Sequence, residues 1–254
     1  MEKYVKGIAV HEYGDRNKVP IIFIHGFPFN STMWAQQIKI LKEQYYCVAY
    51  DVRGMGETPP GDGQFTIEMF VDDLFAVSDG LDLERPIVAG FSMGGYIALR
   101  AVEREPERFR ALILADTKAE ADDDAGRLKR ANAISSINKD GVEQFVSDFV
   151  PLAFSETARQ NIPETYNLFL ERAQTESPIG VKGCLLAMAA RTDTTNSLAD
   201  IRIPTLLLVG EHDTLTPPEV MRQMQDRIGG SVIVHVPKAG HMAPVENPEF
   251  VTQG

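Results

Sequence analysis

The sequence predicts an α/β protein with a doubly wound, mostly parallel sheet and a helical cap inserted between two strands. Three observations predict this class. Short apolar runs alternate with amphipathic runs of helical length over residues 20–115, and the same alternation returns over residues 205–236. Between them, residues 118–200 show helical periodicity and no convincing strand. Strands that alternate with helices of this length form βαβ units and a parallel sheet.

Each element follows from its own pattern. Seven apolar runs predict strands at residues 7–13, 20–25, 46–51, 86–91, 111–115, 205–209 and 231–236. Four amphipathic runs predict helices at residues 31–43, 66–78, 93–104 and 218–228. Ser31 or Thr32 is available to cap the first helix. Because no helix precedes residue 20, the first strand is expected at an antiparallel edge.

The predicted domains are a core of residues 1–117 and 201–254 and a cap of residues 118–200. Four helix-breaking residues divide the cap into about four helical pieces: Gly141, Pro151, Pro163 and Pro178. The acidic run at 122–124 marks the start of the first piece, because carboxylates favour the positive end of a helix dipole. We expect the cap to cover the carboxyl edge of the sheet.

Composition excludes several classes of protein. Of the 254 residues, 44% are hydrophobic and 24% are charged, which excludes a disordered chain. The net charge of −11 would repel phosphate backbones, so neither nucleic acid nor an anionic membrane surface is expected as a partner. No apolar run approaches the ~18 residues of a membrane helix, and the N-terminus does not resemble a signal peptide. Cys47 and Cys184 are not expected to form a disulfide, so a cytoplasmic location is predicted.

The strongest catalytic signal is the Gly-Phe-Ser-Met-Gly segment at residues 90–94. It follows an apolar strand and opens a helix, which is the context that a nucleophile elbow requires. In such a turn small residues flank the serine on both sides, and the hydroxyl is thrust above the sheet. The pattern therefore predicts Ser92 as a nucleophile.

A serine nucleophile needs a base, and His241 has the best position of the five histidines. It follows the last strand, and parallel strands gather their carboxyl ends at one edge of the sheet. His25 follows an earlier strand and competes for the role, whereas His212 only neighbours an acid.

The carboxylate that orients the base is predicted to be Asp213, which follows the strand at 205–209. The order Ser92, Asp213, His241 is the nucleophile–acid–base order of this type of fold. Three other acids remain as alternatives: Glu211, Asp116 and Asp51.

Acyl transfer also needs backbone N–H donors for the oxyanion of its transition state. Met93 follows the nucleophile at the start of its helix and supplies one candidate amide. Phe27 supplies the other, and Gly26 lets the chain approach closely. His25 is interpreted as a histidine that fixes this turn.

These motifs resemble those of the α/β-hydrolase superfamily. The four segments at residues 25–28, 90–95, 210–213 and 240–241 match in order and spacing over nearly the whole chain. The resemblance implies Ser92 as nucleophile, Asp213 and His241 as its acid and base, and the amides of Phe27 and Met93 as the oxyanion hole. Size and cap are similar to small bacterial carboxylesterases and 3-oxoadipate enol-lactonase-like proteins. Such proteins usually end in a long helix, so a truncated chain or a less covered sheet face is expected here.

The predicted function is hydrolysis of a small carboxylic ester or lactone through an acyl-enzyme. Carbon–carbon bond hydrolysis, perhydrolysis and a catalytically silent, receptor-like role stay as alternatives. No metal or cofactor is expected, and the expected partner is a small-molecule substrate. The sequence leaves the natural substrate, the stereoselectivity, the mobility of the cap and the oligomeric state open.

The cap is expected to set the substrate. Four of its apolar side chains are candidates for the pocket: Phe145, Phe149, Phe154 and Met188. A short or medium acyl group is expected, neutral rather than multiply charged. The net charge of −11 argues against a dianionic lactone unless Arg53, Arg130 or Arg191 points inward.

Overall fold

An eight-stranded sheet forms the centre of the computed structural model, which describes residues 3–253. The strands are β1 (Lys3–Val5), β2 (Ile8–Tyr13), β3 (Pro20–Ile24), β4 (Tyr46–Tyr50), β5 (Ile87–Phe91), β6 (Ala111–Ala115), β7 (Thr205–Gly210) and β8 (Val232–Val236). They lie in the order β1-β2-β4-β3-β5-β6-β7-β8. The pairs β1–β2 and β2–β4 are antiparallel, and all others are parallel. The predicted α/β class and its antiparallel edge are confirmed.

Helices cover both faces of the sheet. In the core they are α1 (Ala35–Leu41), α2 (Ile67–Gly80), α3 (Met93–Arg104), α9 (Pro218–Arg227), α10 (Ala243–Glu246) and α11 (Pro248–Gln253). Alternate strand residues point to opposite faces. Ile22 and Ile24 therefore join the cluster that includes α2, α3 and α9, whereas Ile21 and Phe23 join the cluster with α1, α10 and α11. The arrangement is doubly wound, as predicted.

Two features at the N-terminal end differ from the prediction. The three-residue strand β1 was not predicted, because so short a run shows no usable alternation. The segment expected as one helix begins as a 3-10 turn at Ser31–Trp34 and continues as α1. Its cap is neither Ser31 nor Thr32 but Asn30, whose side chain accepts a hydrogen bond from the backbone N–H of Thr32 at 3.2 Å.

Five helices lie between β6 and β7 and form the cap. They are α4 (Asp124–Asp140), α5 (Val142–Ala153), α6 (Glu156–Asn161), α7 (Pro163–Gln174) and α8 (Pro178–Ala189). Asp123 caps α4 by accepting from the N–H of Gly126 at 2.7 Å, as the acidic run predicted. Pro151 does not divide the cap but lies inside α5. A proline this close to the end of a helix removes a single i→i−4 hydrogen bond, so the last turn survives.

Two further sequence predictions concern membranes and thiols. Over residues 3–253, no helix combines the length and the apolar character that crossing a bilayer requires. Cys47, in β4, and Cys184, in α8, are both buried and unpaired.

Candidate active site

Ser92 occupies the sharp turn between β5 and α3. Its backbone has φ 50° and ψ −114°, a strained conformation for a residue with a side chain. The turn is so tight that a Cβ on Gly90 would lie 2.3 Å from the carbonyl oxygen of Gly94. The N–H of Ser92 donates to the carbonyl of Ala115 at 2.9 Å, and Thr117 Oγ1 donates to the carbonyl of Ser92 at 2.8 Å. The turn is therefore held by the neighbouring strand β6.

Three side chains from distant parts of the sequence form one chain of hydrogen bonds. Ser92 Oγ lies 2.9 Å from His241 Nε2, and His241 Nδ1 lies 2.8 Å from Asp213 Oδ2. Asp213 follows β7, and His241 follows β8, so both loops leave the carboxyl edge of the sheet beside Ser92. His241 is 5% exposed and Asp213 is 3% exposed, which keeps water from competing for these bonds.

The surroundings of Asp213 keep its carboxylate ionised. Burial alone raises its pKa, but the charge of His241 and the hydrogen bonds outweigh burial and lower the pKa overall. The N–H groups of Leu215 and Thr216 donate to Oδ1 at 2.8 and 3.0 Å, and Thr216 Oγ1 donates to Oδ2 at 2.5 Å. An ionised Asp213 accepts the Nδ1 proton of His241, so the lone pair on Nε2 faces Ser92. In this orientation Nε2 of His241 can accept a proton from Ser92 Oγ.

Asp116 lies beside this chain of hydrogen bonds, and its surroundings differ from those of Asp213. It follows β6 and is fully buried, and its Oδ1 accepts from the N–H of Gly210 at 2.7 Å. Burial, followed by the negative charge of Asp213, raises its pKa well above the ordinary value. The pKa of Asp116 is thus shifted in the opposite direction from that of Asp213.

The other candidates for acid and base are occupied elsewhere. Asp51 accepts from the N–H groups of Ser31 and Glu57. Glu211 accepts from the N–H of Lys238 at 3.2 Å. Neither contacts His241 among the contacts found in residues 3–253.

His25 fixes the loop that precedes the candidate oxyanion donor Phe27. Its Nδ1 donates to the carbonyl of Gly26 at 2.9 Å, and its Nε2 accepts from the N–H of Val52 at 2.8 Å. Burial lowers the pKa of His25, which keeps the ring neutral. A Cβ on Gly26 would lie 2.5 Å from the Phe91 ring and 3.0 Å from Ser92 Cβ. The loop with Phe27 therefore passes directly beside the candidate nucleophile. The other candidate oxyanion donor, Met93, lies in the first turn of α3, where a backbone N–H has no intrahelical partner.

A cavity of about 200 Å³ opens above Ser92 and His241. Its wall combines apolar and charged side chains: Phe27, Tyr96, Lys118, Asp122, Gly126, Lys129, Arg130, Phe149, Met188, Leu215 and Thr216. The cap contributes Phe149 and Met188, two of the four apolar residues expected there.

The other two expected pocket residues, Phe145 and Phe154, do not line this cavity. Phe145 stacks on Phe149 at 5.9 Å and so lies behind the cavity wall. Phe154 is 4% exposed and packs against Tyr166 and Phe169 within the cap. Helical spacing shows that apolar residues share one face of a helix, but it does not show whether that face lines a cavity or packs in the interior of the cap.

Comparison with known proteins decides the family. A family model for the alpha/beta hydrolase fold matches residues 19–248. The chain belongs to the α/β-hydrolase family. The AB hydrolase superfamily protein YisY of Bacillus subtilis is 31% identical over 243 residues, which cover 91% of this chain and 88% of that protein. The 3-oxoadipate enol-lactonase 2 of Acinetobacter baylyi is 26% identical over 237 residues, 93% of this chain and 87% of that protein.

A solved structure extends this comparison. The thermophilic esterase from Thermogutta terrifontis, determined with malate bound, is 33% identical and superposes with a TM-score of 0.93. The match covers 97% of this chain and 91% of that protein. Relatives that include an esterase and an enol-lactonase support a hydrolase activity for this α/β hydrolase.

Two side chains that support the site were not predicted. Thr216 of this α/β hydrolase donates to Asp213, and its place in the Asp213–Pro217 loop is the only sequence signal for it. Glu246 links the loop that carries His241 to the cap, because its carboxylate accepts from Gly240 N at 3.0 Å and from Ser155 Oγ at 2.6 Å. Glu246 follows His241 in sequence, but no local pattern reveals that it joins the loop to the cap.

Two clusters place potential metal ligands close together in residues 3–253. In one, Asp116, Asp213 and His241 offer ligand atoms within 4.8 Å of one another; the other is formed by His11, Asp51 and Glu57. The hydrogen bond between His241 and Asp213 accounts for the first cluster. The backbone hydrogen bonds of Asp51 account for the position of its carboxylate in the second.

Proposed function

We propose that this α/β hydrolase cleaves a small carboxylic ester or lactone through an acyl-enzyme intermediate on Ser92. The observation that carries the proposal is the continuous chain of hydrogen bonds from Ser92 Oγ through His241 to Asp213 Oδ2, which opens on the cavity. The esterase and the enol-lactonase among its relatives support the ester or lactone class.

In the acylation half-reaction, His241 Nε2 accepts the proton of Ser92 Oγ as the oxygen attacks the substrate carbonyl. The N–H groups of Phe27 and Met93 donate to the oxyanion of the tetrahedral intermediate. The intermediate collapses when the protonated His241 gives its proton to the leaving alcohol oxygen. An ester is left between the acyl group and Ser92.

Deacylation repeats these steps with water. His241 Nε2 accepts a proton from a water molecule, whose oxygen attacks the acyl carbon. The same N–H groups hold the second oxyanion. His241 then returns its proton to Ser92 Oγ, and the carboxylic acid leaves.

Replacement of Ser92 tests the proposal. Ser92→Ala removes the nucleophile and is expected to lower kcat for p-nitrophenyl butyrate by at least about 10³-fold. Ser135→Ala is the matched control, since Ser135 is an exposed serine of α4 outside the cavity. Hydrolysis by Ser92→Ala at the wild-type rate would refute the proposal.

The same three side chains would serve carbon–carbon bond hydrolysis and perhydrolysis. A substrate panel separates ester or lactone hydrolysis from carbon–carbon bond hydrolysis. The panel contains a p-nitrophenyl ester, a lactone and a dienoic diketone. We expect turnover of the ester or the lactone. Turnover of the diketone alone would assign carbon–carbon bond hydrolysis, and a folded protein that turns over nothing would favour the receptor-like role.

A further inference from the structure

The cavity beside Ser92 carries positive charge, although the chain as a whole is acidic. The net charge is −11, yet the cavity wall contains the cations Lys118, Lys129 and Arg130 against the single carboxylate of Asp122. Like charges in a confined cleft attract a ligand of the opposite sign and raise its local concentration. The net charge of the cavity wall is thus opposite in sign to the net charge of the chain.

Asp122 does not neutralise these cations. Its carboxylate lies 3.1 Å from Arg130 Nε, 2.8 Å from Arg191 Nη1 and 4.0 Å from Lys118 Nζ. One negative charge is therefore shared among three positive ones. Glu120 and Asp193 also act on Lys118 and Arg191, but neither lines the cavity.

Arg191 fixes the position of Asp122 from the interior of the protein. Its guanidinium is almost fully buried and donates to the backbone carbonyls of Glu120 and Met188. It also lies over the ring of Tyr96 at 4.4 Å. The position of Asp122, and through it that of Arg130, is fixed without any ligand.

Lys129 stands outside this network. It is exposed on α4 and lines the cavity, and its ammonium has no carboxylate partner within residues 3–253. Burial, followed by the charge of Arg191, lowers the pKa of nearby Lys118. Four apolar side chains also line the cavity: Phe27, Phe149, Met188 and Leu215.

We propose that the substrate of this hydrolase carries a carboxylate, which Lys129, Lys118 and Arg130 bind at the cap side of the cavity. The inference rests on the proposed function, because it places the scissile carbonyl at Ser92. A cavity of about 200 Å³ with apolar residues in its wall suits a short hydrocarbon segment between the carbonyl and the carboxylate. The sequence argues against a dianionic substrate unless an arginine such as Arg130 points inward, and Arg130 does line the cavity.

The test compares two esters that differ only by a carboxylate. These are p-nitrophenyl butyrate and the mono-p-nitrophenyl ester of glutaric acid. Lys129→Gln is expected to lower the ratio of kcat/KM for the glutarate ester to kcat/KM for the butyrate ester by about three- to tenfold, because one ion pair with the carboxylate is lost. The wild-type preference for the glutarate ester is expected to weaken as salt is added.

Lys139→Gln is the matched control. Lys139 lies on the same helix, is exposed and is absent from the cavity wall, so the substitution changes the net charge equally. It is expected to leave the ratio of the two kcat/KM values unchanged. An equal effect of Lys129→Gln and Lys139→Gln, or a wild-type ratio independent of salt, would overturn the inference.

Calorimetry tests the same site without turnover. Wild-type protein is expected to bind glutaramate, the monoamide of glutaric acid, more tightly than the neutral butyramide, and Lys129→Gln is expected to lose part of that difference. If the proposed function fails, neither ester is hydrolysed by any variant, but the glutaramate titration still decides this inference. Equal affinity of the wild-type protein for glutaramate and butyramide would contradict it.

Discussion

Two buried carboxyl groups lie beside His241, and their surroundings shift their pKa values in opposite directions. Asp213 accepts three hydrogen bonds from the 215–216 segment as well as one from His241, and its pKa is lowered. Asp116 accepts one hydrogen bond, from Gly210, and its pKa is raised by burial and by the charge of Asp213. The sequence offered both as partners of the base, and the hydrogen bonds distinguish them.

Substitution by asparagine is expected to separate the two acids. Asp213→Asn removes the charge that fixes the tautomer of His241, so kcat for p-nitrophenyl butyrate should fall by about 10⁴-fold. Asp116→Asn keeps a side-chain oxygen that accepts from Gly210 and leaves the hydrogen bonds of His241 to Asp213 and Ser92 in place, so kcat should stay within about threefold of the wild type. Equal losses in both variants would contradict this assignment.

At the scale of the elements, Glu176 joins the cap to two loops of the core. It lies between α7 and α8, and it accepts from the N–H of Gly56 at 2.8 Å and from Asn30 Nδ2 at 3.1 Å. Burial raises the pKa of Glu176 to about 7, because these two hydrogen bonds offset only part of the desolvation. The contact therefore titrates near neutral pH.

Glu176 is expected to make stability depend on pH. Between about pH 4.5 and 7 the folded state binds more protons than the unfolded state, so the free energy of unfolding falls as pH rises. The contribution is complete below pH 4.5 and lost above pH 7, and it amounts to on the order of 3 kcal/mol.

Urea unfolding of Glu176→Gln over this pH range measures the effect. The variant should show a flatter dependence of unfolding free energy on pH than the wild type. Glu164→Gln, at an exposed position of α7, is the control and should follow the wild type. A wild-type slope in Glu176→Gln would show that another group is responsible.

Local patterns predicted most elements because each has its own signal. Strands such as β5 and β6 were predicted within a residue of their bounds, since their apolar runs are continuous. The helix α3 was predicted with its bounds as found. Pro151 was misinterpreted because a proline in a last turn resembles one that ends a helix. The boundaries of the cap at residues 118 and 200 stay a prediction.

At the scale of the whole molecule, cap and sheet share their hydrophobic cores. One cluster contains Val181 and Leu185 of the cap together with Phe65 of the core, and the other contains Val150 of the cap together with Trp34 of the core. Neither part could bury these side chains alone. The cap is therefore expected to unfold together with the sheet.

A single unfolding transition would follow from these shared cores. Trp34 is the only tryptophan of the chain, so its fluorescence reports on the cluster around Trp34 and Val150. In urea, the fluorescence transition and the far-ultraviolet circular dichroism transition should have the same midpoint. Two separated midpoints would show that the cap unfolds independently.

Long-range contacts limited what the sequence could predict of the site. Ser92, Asp213 and His241 could be selected from the sequence because each has a motif at the end of a strand, and the structure brings the three side chains into hydrogen-bond contact. Lys118 and Lys129 have no such signal, since composition gives a net charge of −11 and does not show which cations face one cavity. Contacts that join distant segments, such as Glu246 with Ser155, have no local pattern at all.

Mass spectrometry after reaction with a fluorophosphonate tests the central claim most directly, because the reagent forms a bond only with an activated nucleophile. The account predicts one adduct per chain, located on the peptide that contains Ser92 and absent from Ser92→Ala. Folded protein that stays unmodified, or an adduct on a residue other than Ser92, would contradict it.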